Sequence, residues 1–265
     1  MFTGDLGNSC ILCAKEHNYM DGTPPTYEYF LLGENTTNRV YYSKDLETRE
    51  YLFTFVRDVG EYAWGIDSEN NIYCVKMAEF LDGTEESYDD SLRENPIVYL
   101  FSENYSIAHE VDFGNNMKPC GWLSNIGFSC FNSGDVMMVE YTRPIVAHAN
   151  AWRIAKGSDP TDPTSWVIVK QFTVNPESTD FKHIHNVYQD FYTGVCYMTT
   201  GDNDVGSKIL YSTDNGLTWT IGREGEGAET YCRLLTMTFT KTYIYWATDS
   251  YKEGMHWVLR ATRNA

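Results

Sequence analysis

Apolar and polar residues alternate in short runs along most of the chain, and Gly, Asn and Asp clusters break the runs, which is the pattern of β-strands joined by tight turns. The clearest unit is Lys208-Ile-Leu-Tyr-Ser-Thr-Asp-Asn-Gly-Leu-Thr-Trp219, an apolar strand running into a Ser-x-Asp-x-Gly-x-x-Trp turn. Each part of that turn has its own task. Asp214 can accept hydrogen bonds from turn amides, Gly216 permits a positive φ, and Trp219 packs the hairpin down on its neighbours.

Weaker copies appear when strand and turn are aligned together. Val40-Tyr-Tyr-Ser43 keeps Ser43 and Asp45, and Val98-Tyr-Leu-Phe-Ser102 keeps the strand and a polar turn. Trp152-Arg-Ile-Ala155 leads through a longer turn to Trp166, and Val258-Leu-Arg-Ala261 closes the series. The positions equivalent to Ser212 are thus 43, 102, 155, 212 and 261, a recurrence every 49 to 59 residues. That is the length of one four-stranded propeller blade. Between these turns, residues 62–75, 121–141, 183–200 and 231–248 each read as a β-hairpin.

The Ser212 to Trp219 segment, with HIHNVYQDFYTGVCYMTTGD at 183–202 and YIYWATDS at 243–250, resembles the Asp-box (BNR-repeat) proteins of the sialidase-like superfamily. The resemblance covers roughly residues 140–262. It implies an all-β protein: one propeller domain over residues 1–265, built of four-stranded antiparallel blades, five in number, or six if the chain is a fragment of a longer protein. Residues 1–8 are candidates to complete the last blade.

In such a propeller the Asp-box hairpin, with Ser212, Asp214, Gly216 and Trp219, supports the fold at one rim. Starts of first strands and ends of second strands meet at the other face, where a central pocket is expected. The resemblance then implies Glu140, Asp202 and Asp249 as catalytic carboxylates. Trp64, Trp122, Arg143, His183, His185, Glu229, Tyr231 and Arg233 are the expected ligand-binding groups. Aromatic faces stack on sugar rings, and carboxylates and Arg hydrogen-bond hydroxyls. The blend suits a glycan or another small polar ligand.

Three functions are compatible with that reading: a glycoside hydrolase acting on glycans, a non-catalytic lectin-like or receptor-binding propeller, and a protein-interaction scaffold. Hydrolysis needs two carboxylates across the bond, or Tyr as the nucleophile in sialidases. The Phe-Arg-Ile-Pro segment that resembling sialidases carry near the N-terminus is absent, which argues against true sialidase activity.

Composition narrows the partners. Aromatics make up 15% of the 265 residues, which fits half-buried pleated surfaces. A formal net charge of -17 repels phosphate backbones and anionic membranes, so neither nucleic acid nor membrane is an expected partner. No apolar run approaches the roughly 20 residues of a membrane span, and the first ten residues lack the regions of a signal peptide. A soluble protein is expected, either cytoplasmic or reaching a virion or the cell exterior without a Sec signal. The oligomeric state stays open. The seven Cys are odd in number, and Cys10-Ile-Leu-Cys13 alternates like a strand without a second CxxC, so buried thiols are expected, with no cofactor and no metal.

Overall fold

A computed structural model describes residues 10–17, 26–33, 39–43, 48, 50–54, 62–69, 71–76, 97–101, 108–113, 120–121, 127–142, 148–173, 183–201, 206–224, 232–248 and 257–262. Among these, strands dominate. The first sheet holds β1 (Cys10–His17), β2 (Thr26–Gly33), β3 (Arg39–Ser43) and β4 (Glu50–Thr54), and the second holds β5 (Tyr62–Ile66), β6 (Ile72–Lys76), β7 (Ile97–Phe101) and β8 (Ala108–Asp112). A short ribbon of β9 (Cys120–Gly121) and β12 (Tyr141–Thr142) flanks the third sheet. That sheet contains β10 (Phe128–Cys130), β11 (Val136–Val139), β13 (His148–Ile154) and β14 (Val167–Thr173). The fourth sheet is β15 (His183–Gln189), β16 (Cys196–Gly201), β17 (Lys208–Ser212) and β18 (Thr220–Glu224). The fifth has β19 (Leu234–Phe239), β20 (Tyr243–Thr248) and β21 (Val258–Thr262) among the described residues.

Every sheet is an antiparallel meander in chain order. The repeat read from sequence falls at one place in each: β3 and β17 end at Ser43 and Ser212, β7 and β13 end one residue before 102 and 155, and Ala261 lies one residue inside the end of β21. First strands of successive sheets adjoin, β1 beside β5, β5 beside β10, β10 beside β15 and β15 beside β19. Consecutive four-stranded meanders whose first strands adjoin make a β-propeller. The suggested closing role of residues 1–8 lies outside the described residues. Cys10 and Cys13 lie within β1, where the pairing slips by one residue between Ile11 and Cys13.

The core sits between sheets. Because side chains alternate across a strand, one strand can serve two interfaces. In β11, Val136 and Met138 pack with Tyr73, Leu100, Val111 and Phe113 of the second sheet, together with Trp152, Ile154 and Trp166 of the third. Met137 and Val139 face the other way, onto Ile184, Val187, Cys196, Met198 and Leu210 of the fourth sheet. Leu234, Met237 and Ile244 of the fifth sheet pack against Tyr188, Tyr197 and Ile209 of the fourth. Each fully buried large side chain contributes about 1.5–3 kcal/mol. The molecule is therefore held together sheet to sheet.

Candidate functional site

The two ends of the propeller carry different chemistry. At one end lie the first hairpin turns and the Ser212 to Trp219 turn, because Cys196 at the start of β16 pairs with Ser212 at the end of β17. First strands start and second strands finish at the other end, as the pairs His183 with Gly201 and Leu234 with Thr248 show.

At the turn end, the Ser212 hydroxyl donates to Asp214 Oδ1 at 2.7 Å and accepts from the Gly216 amide at 2.9 Å. Asp214 Oδ1 also accepts from the amides of Leu217 and Thr218, and Oδ2 accepts from the Thr218 hydroxyl. The Thr218 hydroxyl and amide, followed by the Ser212 hydroxyl, hold the Asp214 carboxyl down at about 2. Gly216 has a φ of 80°, and Trp219 donates its indole N–H to the Gly216 carbonyl while packing on the core between the third and fourth sheets.

Sequence reasoning passed over Asn215, which joins two sheets. Its amide donates to the Ser133 hydroxyl and to Asp135 in the turn of the third sheet, and its carbonyl oxygen Oδ1 accepts from Gln189 Nε2. Arg153 completes the clasp, donating to the Asn215 backbone carbonyl at 3.2 Å and pairing with Asp135 at 2.6 Å. Burial alone would raise the Asp135 carboxyl. The Lys156 amide, the Ser133 hydroxyl and Arg153 outweigh it and hold the group below the ordinary carboxylate value.

The opposite end holds the expected ligand site. Glu140 follows β11 and is fully buried. Its Oε2 accepts from the Asn150 amide at 2.8 Å and from Asn150 Nδ2 at 3.0 Å, and its Oε1 accepts from Trp152 Nε1 at 2.7 Å. Gln171 orients Asn150 by donating to its Oδ1. The Glu140 backbone carbonyl meanwhile accepts from the Ile184 amide across the boundary between sheets. Glu140 thus ties β13 to the end of β11 through its side chain, and β15 through its backbone carbonyl.

Tyr141, the next residue, is half-buried and lies against His183, with ring centroids 3.8 Å apart and planes at 26°. His185 continues the group, 5.1 Å from His183 and 6.0 Å from Tyr141. Strict alternation would put both histidines on one face, and the pairing of β15 slips between Ile184 and Asn186, so His185 sits in a bulge. Its Nδ1 lies 2.9 Å from the Leu234 carbonyl. A carbonyl can only accept, so Nδ1 carries the proton. Beneath the ring lies Gly201, where a Cβ would come within 2.2 Å of His185 Cε1, so any side chain there would displace the imidazole. Asn186 donates to the Leu235 carbonyl and accepts from Thr199, fixing the bulge from below.

The structure thus brings together Tyr141, His183 and His185, with half-buried Arg233 immediately before Leu234. Trp64 is within β5 and pairs with Cys74, but its side chain lies outside the described residues. Asp202, Asp249, Trp122, Arg143, Glu229 and Tyr231 lie outside them as well. No group of three His, Cys, Asp or Glu that could hold a metal occurs among the described residues. Among those residues, no helix is long and apolar enough to cross a membrane.

The sequence matches no protein-family model, and no curated protein matches it. Solved structures do. PorZ of Porphyromonas gingivalis, a bacterial surface component of the type-IX secretion system, is similar at 13% identity and a TM-score of 0.51 over 83% of this chain. This chain spans only 30% of the PorZ chain. Virginiamycin B lyase from Staphylococcus aureus matches at 10% identity over 96% of this chain and 75% of its own, with a TM-score of 0.46. GH43B of the Bacteroides ovatus xyloglucan PUL matches at 10% identity over 93% and 49%, with a TM-score of 0.40. At 13% identity the likeness to PorZ bears on the fold alone.

Proposed function

We propose that this propeller binds a glycan at the end where first strands begin, at half-buried Tyr141 backed by the buried rings of His183 and His185. The stacked rings carry this reading: Tyr141 lies on His183 at 3.8 Å, and His185 is held in one tautomer behind them. Half-buried Tyr141 offers a sugar ring an aromatic edge, and the buried His183 and His185 hold it from behind. Arg233, the residue before Leu234 whose carbonyl meets His185, is the candidate cation for a hydroxyl or carboxylate of the sugar.

Binding is favoured over hydrolysis because Glu140, one of the three expected acids, is spent on Asn150 and Trp152. Hydrolysis is the second reading. It rests on Asp202 and Asp249, which come directly after the last residues of β16 and β20, two second strands that finish at this end. Kinship with the Asp-box proteins of the sialidase-like superfamily is inferred with it, from the bonded Ser212, Asp214, Gly216 and Trp219 turn.

The experiment is a glycan array, run with a panel of chromogenic glycosides, on the wild type, Tyr141→Ala and the pair Asp202→Asn and Asp249→Asn. Glycan binding that Tyr141→Ala weakens at least tenfold, at unchanged melting temperature, supports the Tyr141 site. Turnover lost in both Asp variants with affinity kept would promote the hydrolase reading. No glycan bound by the wild type would sink both.

A further inference from the structure

The end with the turns carries a pocket of its own, about 180 Å³ in volume, between the first strands of three successive sheets. Four aromatic rings line it: Tyr188 on β15, Phe191 and Tyr192 on the turn after β15, and Phe239 on β19, with Ser129 on β10, Gln189 on β15, and Met237 and Thr238 on β19 completing the wall. Phe191 is 37% exposed and Tyr192 50%, although apolar rings of this size ordinarily bury themselves.

That turn is held in place by its own hydrogen bonds. The Asp190 carboxylate accepts from the Tyr192 amide at 3.0 Å and the Thr193 hydroxyl at 2.8 Å, while its backbone carbonyl accepts from Thr193 and Gly194. Asn132 of the third sheet donates to the Phe191 carbonyl at 3.1 Å. Two solvent-facing aromatics are thus displayed on a fixed support.

The pocket's chemistry selects its ligand. No Lys, Arg or His is among its lining residues. The buried Gln189 amide is committed, with its oxygen accepting from the Asn132 amide and its nitrogen donating to the Gly194 carbonyl and Asn215. Aromatic faces attract cations through the ring quadrupole. The chain as a whole carries a formal charge of -17, which favours cations over anions. The volume, below the roughly 300–1,000 Å³ of drug-sized sites, holds one small group.

We infer that this pocket binds an organic cation, the head of a quaternary or N-methylated ammonium, in a box formed by Tyr188, Phe191, Tyr192 and Phe239. The cation is carried either by a free metabolite or by a methylated lysine of another protein, and the same box receives both.

The test is isothermal titration of the full chain at matched ionic strength with choline, with its neutral isostere 3,3-dimethyl-1-butanol, and with a trimethyllysine peptide. Choline or the peptide should bind saturably at one site. The neutral isostere should bind at least tenfold more weakly, and Tyr192→Leu should weaken the cation at least tenfold at unchanged circular dichroism. A tighter peptide than choline identifies a protein-borne cation, and the reverse a free one. Equal affinity for choline and its isostere, no saturable binding of any cation, or full affinity in Tyr192→Leu would each overturn the assignment. Tyr141→Ala should leave cation affinity unchanged, which separates this site from the glycan site.

Discussion

Replacing Glu140 distinguishes an anchor from a catalyst, and the structure sets the size of the effect. In Glu140→Ala three donors lose their acceptor: the Asn150 amide, Asn150 Nδ2 and Trp152 Nε1, all buried. A buried donor left unsatisfied costs about 1–3 kcal/mol, and the side chain leaves a cavity besides. Losses at one network are not additive, so the expected destabilisation is about 3–5 kcal/mol. At about 2–4 °C per kcal/mol for a chain near this size, the melting temperature should fall by roughly 6–20 °C. Glu140→Gln keeps the volume but turns an amide N–H₂ toward one of these donors, and should cost about 1.5–3 kcal/mol. The assay is differential scanning fluorimetry with urea unfolding followed by tryptophan fluorescence, since Trp152 reports directly on the site. Both variants should retain whatever ligand affinity the wild type has, at temperatures where they are folded. A melting temperature within about 2 °C of wild type in Glu140→Ala, equivalent to less than about 1 kcal/mol, would refute the anchoring role.

Two further perturbations test the two ends separately. Gly201→Ala puts a Cβ against the His185 ring, so the imidazole must shift; a cost of about 1–3 kcal/mol is expected, with a changed His185 imidazole signal by NMR, and an unperturbed signal would contradict the packing. At the turn end, Asp214 has its carboxyl held at about 2, below an unfolded value of about 3.9. Its folded pKa is depressed, so its contribution is complete above about pH 4 and is lost as pH falls toward about 2. Asp214→Asn should therefore lower the melting temperature at pH 5 and flatten its decline between pH 4 and pH 2; an unchanged acid limb would show that the turn is not the source.

The strands and their repeat were legible because both are local. Alternation fixes a strand within five or six residues, and the Ser, Asp, Gly and Trp of the 212–219 turn bond one another within eight. The hairpin of β1 and β2 was passed over although Asp21-Gly22 lies between its strands, because the eight positions separating them exceed a tight turn. At the candidate site, sequence located the end where His183, His185 and Glu140 gather. It did not show that Asn150 and Trp152, on the facing strand, aim their N–H groups at Glu140. The clasp of Asn215, Asp135 and Arg153 was invisible for the same physical reason: its partners stand up to 80 positions apart. Phe191 and Tyr192 read as ordinary turn residues, because only the neighbouring sheets show that they stay uncovered.

β11 sends Val136 and Met138 to one interface and Met137 and Val139 to the other. On a sheet with a wet face, a one-residue slip would drive charge inward and be rejected on polarity. Here both sides are dry, so a slip exchanges valine for methionine and leaves the hydrophobicity of each side unchanged. Besides the flanking bonds of Asp135 and Glu140, what rejects it is volume: a flexible, longer side chain would sit where a short branched one belongs, at the roughly 1–3 kcal/mol that misfit costs in a packed interior. The alignment of this strand is specified by shape, and substitutions that equalise the four side chains should loosen it long before they unfold it.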